Sequence, residues 1–477
     1  MKRIAETVFI IAFVTIIVLP LAFFNHEENA VSEIDNKVLT ENPLRSTMPV
    51  EDLTDSIEQY VSERIGFRDD MIIGYTVGND VLFGEMVHPT YMYGKDGYIF
   101  FKASAPRIYG EYDDAFVNMV SEIQKYCDRR GIPFVFVFEP SKLSVYKDKL
   151  PDGYNYNNDW VSILLSKLDA SGVNYADNLE EMTKCYEEDI PVFNVKYNAG
   201  HWNDTGAFYG MNNALKKLKQ YDNKVHVNDL SEFIIEQELN TTLPVSEFPI
   251  HEYEPKYSIR NSEEIIDNTR LYRDELMLNE DYQYFTYYIN RQRLKEGSPK
   301  ALVFQGSYIN GMGYKFLQNS FGEYIAVHDY QNILNFEYYV NIFQPDCIVF
   351  EAAEYTFLNK YFDFNGMKNF KLNPRLSEFD GFKSNAIDAI ITIDKRDSLS
   401  NIMVDTDLDG VDYAYMIMGG KEYDLMQAVS DDSTSIDYSA TVKSSIINTH
   451  DMHFIFVSTI NNKKYVCDYY RIIRILL

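Results

Sequence analysis

The sequence predicts an α/β layer sandwich followed by an all-β sandwich, both carried behind an N-terminal apolar anchor. Three observations predict this arrangement. Between about residues 115 and 365, apolar strand-like runs such as Phe134–Phe138, Ala301–Phe304 and Cys347–Glu351 alternate with amphipathic helical segments. That is the rhythm of a parallel sheet covered on both faces. From about residue 377 short strand-like runs take over, separated by loops rich in Asp, Ser, Asn and Gly, the pattern of a β-sandwich. Before either, Thr7–Phe24 is an apolar run without charge. The length of 477 residues fits two or three such units at ~150 residues each.

The anchor comes first in the chain. Lys2 and Arg3 precede the run, whose ~18 residues approach the ~30 Å hydrocarbon core of a bilayer. Basic residues stay on the cytoplasmic side, which places the bulk of the chain outside. Phe23-Phe24-Asn25-His26 follows the run instead of a small-x-small cleavage site, so an uncleaved signal anchor over residues 1–25 is favoured over a cleaved signal peptide. Residues 26–50 read as a polar linker. The α/β domain is expected over 51–376. Leu53, Ile57, Tyr60, Val61 and Ile65 recur at helical spacing, and a second helix is expected around Asp69–Leu82. Turn chemistry at Gly94 leads into an aromatic strand to Phe101. Helices are expected over Ala115–Arg130, Asp159–Ser171, Thr205–Tyr221 and Gly313–Ser320. Strands are expected at Phe134–Phe138, Val173–Asp177, Ala301–Phe304, Tyr324–His328 and Cys347–Glu351. Val225–Pro299 interrupts the alternation and reads as insertions. The β-sandwich is expected over 377–477, with strands at Ala386–Ile393, Asp412–Met418, His453–Ser458 and Tyr465–Leu476.

Composition narrows the partners. The 72 Asp and Glu against 44 Lys and Arg give a net charge of −28. Phosphate binding needs a basic face, so nucleic acid is not an expected partner, and docking on anionic lipid is disfavoured too. Cys127, Cys185, Cys347 and Cys467 are far apart, with neither CxxC nor metal spacing, and read as structural. An extracytoplasmic chain also speaks against ATP-dependent chemistry. No cofactor is expected.

Two residues carry the chemistry. Ser307 follows an apolar strand through Gln305-Gly306 and precedes a helix, a turn that exposes a hydroxyl at a sheet edge beside backbone N–H groups suited to an oxyanion. His201, in Tyr197-Asn-Ala-Gly-His-Trp-Asn-Asp-Thr-Gly-Ala207, is one of only 8 histidines, flanked by Gly200 and Trp202 just before a helix.

An ordered set of landmarks accompanies them: Glu41-Asn-Pro-Leu44, Glu63-Arg-Ile-Gly-Phe-Arg-Asp69, Gly94-Lys-Asp-Gly-Tyr-Ile-Phe100, Pro140-Ser-Lys142 with Tyr146 and Leu150-Pro151, His201-Trp-Asn203 with Gly206-Ala207, Gly306-Ser-Tyr308, and Pro345–Glu351 with Glu354. Over residues 40 to 360 the chain resembles the DHHW-motif and alginate O-acetyltransferase-like family of the SGNH hydrolase superfamily. The resemblance implies a three-layer SGNH-type sandwich in which Ser307 is a nucleophile and His201 its base. It implies transfer of acetyl groups to, or removal from, an exopolysaccharide, with a membrane-bound acyltransferase of many spans as acetyl donor.

The chain departs from that family at four positions. Ala199 stands where an Asp orients the histidine, and Gly200 where the family has His or Thr. Gly306 replaces the Asp of a G-D-S motif, and Tyr355 replaces an Arg. Loss of the orienting Asp costs about 10⁴ in kcat in a serine protease. Asn198 and Asp204 are the nearby candidates to orient His201, and Gln305 and Gly306 to hold an oxyanion. Trp202, Lys142, Tyr308 and Trp160 are candidate substrate contacts; Trp160 closes a stretch of aromatics and amides, Tyr154–Trp160, of the kind that stacks on sugar rings. The expected function is O-acetylation of a cell-surface or secreted polysaccharide. The rivals are an inactive scaffold or glycan-binding component of an export complex, and a carbohydrate acetyl esterase. Asp405, Asp407 and Asp409 before Gly410 open like a calcium loop, but Met416 occupies the position of the closing Glu, which rejects an EF-hand and leaves a partial calcium site between β-strands as the weaker alternative to an acidic solvated turn.

Overall fold

Alternation within the apolar strands decides the layers. Successive side chains of a strand point to opposite faces. Phe134, Phe136 and Phe138 enter one buried cluster while Val135 and Val137 enter another. Leu302 and Phe304 likewise separate from Ala301 and Val303. A strand apolar on both faces is stable only between two layers, and the computed structural model has them. It describes residues 2–28, 30–32, 37–45, 50–88, 90–102, 107–244, 246, 248–428 and 436–469.

The central sheet has seven strands: β1 (Phe134–Glu139), β2 (Tyr175–Asp177), β3 (Ile265–Asp267), β4 (Phe285–Asn290), β5 (Lys300–Gln305), β6 (Glu323–His328) and β7 (Cys347–Ala353), in the order β2-β1-β7-β5-β6-β4-β3. β2, β1, β7, β5 and β6 run parallel, and β4 and β3 extend the β6 edge antiparallel. The helices are α1 (Lys2–Ala22), α2 (Val50–Arg64), α3 (Arg68–Phe83), α4 (Glu111–Arg130), α5 (Asp159–Ala170), α6 (Asn178–Glu187), α7 (Asp204–Lys219), α8 (Tyr314–Ser320) and α9 (Phe336–Phe343). Side chains of α4, α5 and α9 cover one face of the sheet and those of α6, α7 and α8 the other. α4 illustrates the local logic. Glu111, Asp113 and Asp114 occupy its first turn, Arg129 and Arg130 its last, and Gly131 closes it at φ 66°, each charge complementing the helix dipole. Each fully buried aromatic such as Phe116 or Phe136 contributes about 1.5–3 kcal/mol through burial.

The inserted stretch is a long antiparallel ribbon, Phe233–Thr242 with Pro249–Ile259, followed by β3 and β4. The apolar run near the N-terminus forms α1, whose side chains from Val8 to Leu21 stand exposed. Among the described residues no helix is long and apolar enough to cross a membrane. Parts of the expected linker, 29, 33–36 and 46–49, lie outside the described residues.

The C-terminal unit is a β-sandwich. Lys383–Ala386, Lys463–Asp468, Met452–Ser458, Tyr413–Met418 and Lys421–Asp424 form one sheet; Ile390–Lys395, Leu399–Thr406, Ile436–Lys443 and Met426–Ala428 form the other. Ile402, Val404, Met416, Phe454 and Phe456 fill the space between them. The strand expected over Ala386–Ile393 is two strands, one in each sheet. The last strand stops at Asp468, and residues 470–477 lie outside the described residues.

The two units meet through a buried polar seam. Arg130 lies over the Tyr126 ring at 3.6 Å and pairs with Glu422 (3.1 Å) and Asp424 (3.2 Å). Tyr126 donates to Asp424 Oδ2 at 2.6 Å, and Asn341 exchanges two hydrogen bonds with the Asp424 backbone (2.7 and 3.0 Å). The Glu275 carboxylate accepts from the N–H groups of Ser398 (3.0 Å) and Leu399 (2.8 Å). All four cysteines are buried, and among the described residues none is in a disulfide. Asp405 sits in a β-ladder opposite Ile390 and Asp437, and among the described residues no group of His, Cys, Asp and Glu is arranged to hold a metal ion.

Candidate active site

The carboxyl edge of the parallel strands gathers the polar side chains. β5 ends at Gln305, and the chain turns through Gly306 and Ser307 into a π-helical turn, Ile309–Gly313, that leads to α8. Gly306 is required by close approach. A Cβ there would stand 3.0 Å from Glu351 Oε1 and 3.4 Å from Asp329 Oδ2. The Glu351 carboxylate, on neighbouring β7, accepts from the N–H groups of Gly306 (2.8 Å), Tyr308 (3.1 Å) and Ile309 (3.1 Å). It thus satisfies the orphan donors of the turn. Burial pushes the Glu351 carboxyl up to about 8, with the neighbouring Asp329 adding to the rise. Asp329 and Glu139 are fully buried at the same edge and shifted upward, again mainly by burial.

His201 reaches this edge on the loop between α6 and α7. Two staples hold the loop. Lys142 Nζ, fully buried, donates to the carbonyls of Ile99 (2.8 Å) and Val195 (2.9 Å), and Glu252 accepts from the N–H groups of Val195 (2.7 Å), Lys196 (2.9 Å) and Tyr197 (2.5 Å). Burial drags the Lys142 amine down to about 7. Gly200 packs against the Phe101 ring where a Cβ has no room, and its carbonyl accepts from the Tyr308 hydroxyl at 2.8 Å. Asn203 caps α7 by accepting from Gly206 N at 3.0 Å, which fixes where the loop ends. The imidazole leans on the Tyr308 ring, centroids 4.7 Å apart, and meets the Tyr355 ring edge-on at 5.9 Å.

These constraints bring His201 Nε2 to 2.8 Å from Ser307 Oγ, within reach for proton transfer. Two residues before it the chain is apolar. Ala199 is buried in a cluster with Tyr91, Ile99, Leu243 and Phe248. Among the described residues no hydrogen-bond partner meets His201 Nδ1. Burial alone pulls the imidazole down to about 4, so the ring is neutral at pH 7 and able to accept a proton.

The other sequence candidates lie elsewhere. Asp204 is buried and accepts from Lys315 Nζ and Tyr257 N, both at 2.7 Å; that ion pair takes it away from His201. Asn198 adopts φ 51° and makes no hydrogen bond to His201 among the described residues. Gln305 is fully buried, its Oε1 accepting from the Tyr324 hydroxyl. The Gly306 N–H is taken by Glu351 and is not free for an oxyanion. Trp202 is fully buried under the loop and donates to the Tyr308 carbonyl at 3.3 Å, and Tyr308 is itself buried. Lys142 is buried as a staple. Trp160 lies in the core against Phe357, centroids 5.0 Å apart, with Arg107 stacked on it at 4.3 Å. The amides around Trp160 serve the scaffold as well: Tyr156 and Ser144 donate to Glu354, and Asn158 donates to Ser144 at 2.9 Å. These four aromatic and basic candidates therefore build the frame rather than an exposed sugar platform.

Sequence reasoning missed Tyr355, Tyr330 and Glu351 as site residues. The Tyr355 hydroxyl hydrogen-bonds Ser307 Oγ, and the Tyr330 hydroxyl stands 3.1 Å from that of Tyr355. The available signal was positional: Tyr355 follows β7, the strand paired with β5, and the register Phe304↔Phe350 sets its strand end beside Ser307.

No family model matches the sequence, and no curated protein matches it. Solved structures do. PatB1 of Bacillus cereus is 17% identical with a TM-score of 0.45, the match covering 59% of this chain and 99% of that one. The O-acetyltransferase domain of Pseudomonas putida AlgJ is 14% identical at a TM-score of 0.37, covering 59% and 99%. A DHHW family protein from Eubacterium siraeum is 16% identical at 0.39, covering 60% and 100%.

Proposed function

We propose that the protein is an extracytoplasmic O-acetyltransferase that modifies a cell-surface or secreted polysaccharide through Ser307 and His201. The observation that carries this reading is the 2.8 Å contact between His201 Nε2 and Ser307 Oγ at the carboxyl edge of the sheet. The ordered landmarks over residues 40 to 360 support the substrate class. Neutral His201 takes the Ser307 proton as Oγ attacks the carbonyl of an acetyl donor. The imidazolium returns that proton to the leaving group, and an acetyl-Ser307 ester remains. A sugar hydroxyl then attacks the ester, its proton passing to His201 and from there to Ser307 Oγ as the ester C–O bond breaks, which releases the acetylated sugar and restores the serine. A membrane anchor over residues 1–25 is proposed on the sequence, from Lys2 and Arg3 ahead of the uncharged run Thr7–Phe24, with the exposed apolar side chains of α1 in support although α1 by itself falls short of a span. A membrane-bound acyltransferase is proposed as donor of the acetyl group. The net charge of −28 favours a neutral glycan over a polyanion.

The test is acetyl release from a chromogenic ester by wild type and by Ser307→Ala, with intact mass spectrometry for the acetyl-enzyme. Identical background traces would remove both the transferase and the esterase readings. One observation favours a second reading, an inactive scaffold: the apolar cluster around Ala199 stands where an orienting carboxylate would be. Adding a sugar acceptor separates transferase from esterase, since only the former diverts the acetyl group from water to the acceptor.

A further inference from the structure

The hydrogen-bond directions around Ser307 can be assigned by counting protons. Each hydroxyl owns one. Neutral His201 Nε2 must accept from Ser307, because a serine that loses its proton to this base has to point it there. The hydrogen bond between Ser307 Oγ and the Tyr355 hydroxyl is therefore donated by Tyr355. The Tyr355 proton being committed, the 3.1 Å contact with Tyr330 is donated by Tyr330. The result is a one-way chain: Tyr330 to Tyr355 to Ser307 to His201.

The backbone of the nucleophile turn points the same way. Of the N–H groups from 306 to 309, Glu351 occupies those of Gly306, Tyr308 and Ile309. Only the Ser307 N–H is left untaken by that carboxylate. A tetrahedral oxyanion served by a single backbone donor would be poorly held, since each donor aimed at developing charge is worth about 10²–10³ in kcat. Nor does the base side compensate, because among the described residues no carboxylate pairs with His201, whose printed hydrogen bond goes to Ser307.

We propose that Tyr355 is a catalytic residue, the side-chain donor that stabilises first the developing Ser307 alkoxide and then the oxyanion, with Tyr330 as the positioning residue that fixes its hydroxyl. As the Oγ–carbon bond forms, the serine proton passes to His201 Nε2 and the carbonyl π pair moves onto oxygen. Oγ, now an ester oxygen, is a weak acceptor, and the phenol proton turns to the oxyanion beside it. Collapse returns the electron pair to the carbonyl and expels the leaving group, which takes the proton from His201. The phenol is never deprotonated; it donates and keeps its proton throughout. Tyr355 is also placed to meet ligand, being 40% exposed, whereas the oxyanion candidates Gln305 and Gly306 are buried or occupied.

This assignment rests on Ser307 being a nucleophile, and the experiment separates the two. The full chain is reacted with a fluorophosphonate, which forms an Oγ–P bond, expels fluoride and leaves its phosphoryl oxygen where an oxyanion sits. Labelling is timed by gel fluorescence and located by peptide mass spectrometry, with turnover of a chromogenic acetyl ester read in parallel. Ser307→Ala should abolish labelling. Tyr355→Phe, which keeps the ring packed on His201, should slow labelling and ester kcat by 10²–10³ with KM little changed. Tyr330→Phe should lower both by about tenfold or less, as expected of one lost neutral hydrogen bond. Labelling of Tyr355→Phe at the wild-type rate overturns the assignment. Slowed labelling of Tyr355→Phe in a protein that turns over no acetyl ester upholds it while removing the acetyl-transfer reading. Absence of wild-type labelling overturns both.

Discussion

A triad histidine and this histidine should respond to acid differently, and the difference is large enough to measure. A carboxylate behind the ring stabilises imidazolium and raises its pKa; burial without one lowers it. His201 pairs with no carboxylate among the described residues and is pulled by burial from 6.5 down to about 4. On the proposed mechanism the neutral ring is the base, so activity is expected above its pKa and lost below. At pH 5 a ring of pKa 4 is about 90% neutral, while one at 6.5 is only about 3% neutral, a ratio of about 30 in rate. The assay is kcat/KM for a chromogenic acetyl ester from pH 3.5 to 8. Aliquots returned to pH 7 distinguish titration from acid unfolding. That control matters because a histidine harder to protonate when folded also withdraws stability as pH falls from 6.5 through 4. The expected profile is flat from about pH 8 to 5, with half its height lost near 4. An acid limb at pH 6 or above would refute the reasoning, since it would mean that burial does not lower His201 or that a negative partner offsets it.

Three further outcomes follow from the frame around the site. Lys142, held near pKa 7 when folded and near 10.5 when unfolded, binds fewer protons in the native state between those values. Folding stability should therefore rise by about 2 kcal/mol from pH 7 to 9, and Lys142→Met should flatten that rise relative to wild type in urea titrations at the two pH values. Arg130→Ala leaves Asp424 and Glu422 without their cation at the seam between the units; it should cost about 3–5 kcal/mol, seen as splitting of one calorimetric transition into two. Gly306→Ala sets a methyl 3.0 Å from Glu351 Oε1, and the displaced Ser307 should lower kcat by about 10²-fold with KM little altered.

The layers of this fold were legible because burial on both faces writes itself into a strand as an unbroken apolar run. Phe134–Glu139, Lys300–Gln305 and Cys347–Ala353 differ from their expected spans by a residue or two, and four of the helices covering them by no more than four, whereas Asn178–Glu187 and Phe336–Phe343 were not expected. What periodicity could not show was pairing at a distance. The ribbon Phe233–Thr242 with Pro249–Ile259 was read only as an insertion, because its exposed strands lack a buried face and so lack a clean alternation. The strand spanning 386–393 was divided because its two halves change sheets, a tertiary choice with no local marker. Trp160, Lys142 and Trp202 were read as substrate contacts from residue type. A side chain's chemistry suits it to a ligand or to a frame alike, and only burial tells the two apart.

The site itself divides along the same line. His201 and Ser307 are 106 positions apart, and each was visible through its own turn: a histidine before a capped helix, and a serine after an apolar strand. Tyr355 stood out only as a departure from Arg, because its meaning depends on the register of β5 against β7, which carries it to Ser307. Ala199 and the Tyr355 phenol belong together in the proposed mechanism. Position 199 joins an apolar cluster with Tyr91 and Phe248, so no carboxylate from it stabilises an imidazolium in the transition state. A neutral donor on the oxygen side lowers the energy of the other half of the same charge separation, without placing a second cation beside the proton-carrying histidine as Arg would. On this argument the electrostatic work that a triad concentrates behind its histidine is shifted in this chain to the far side of its serine.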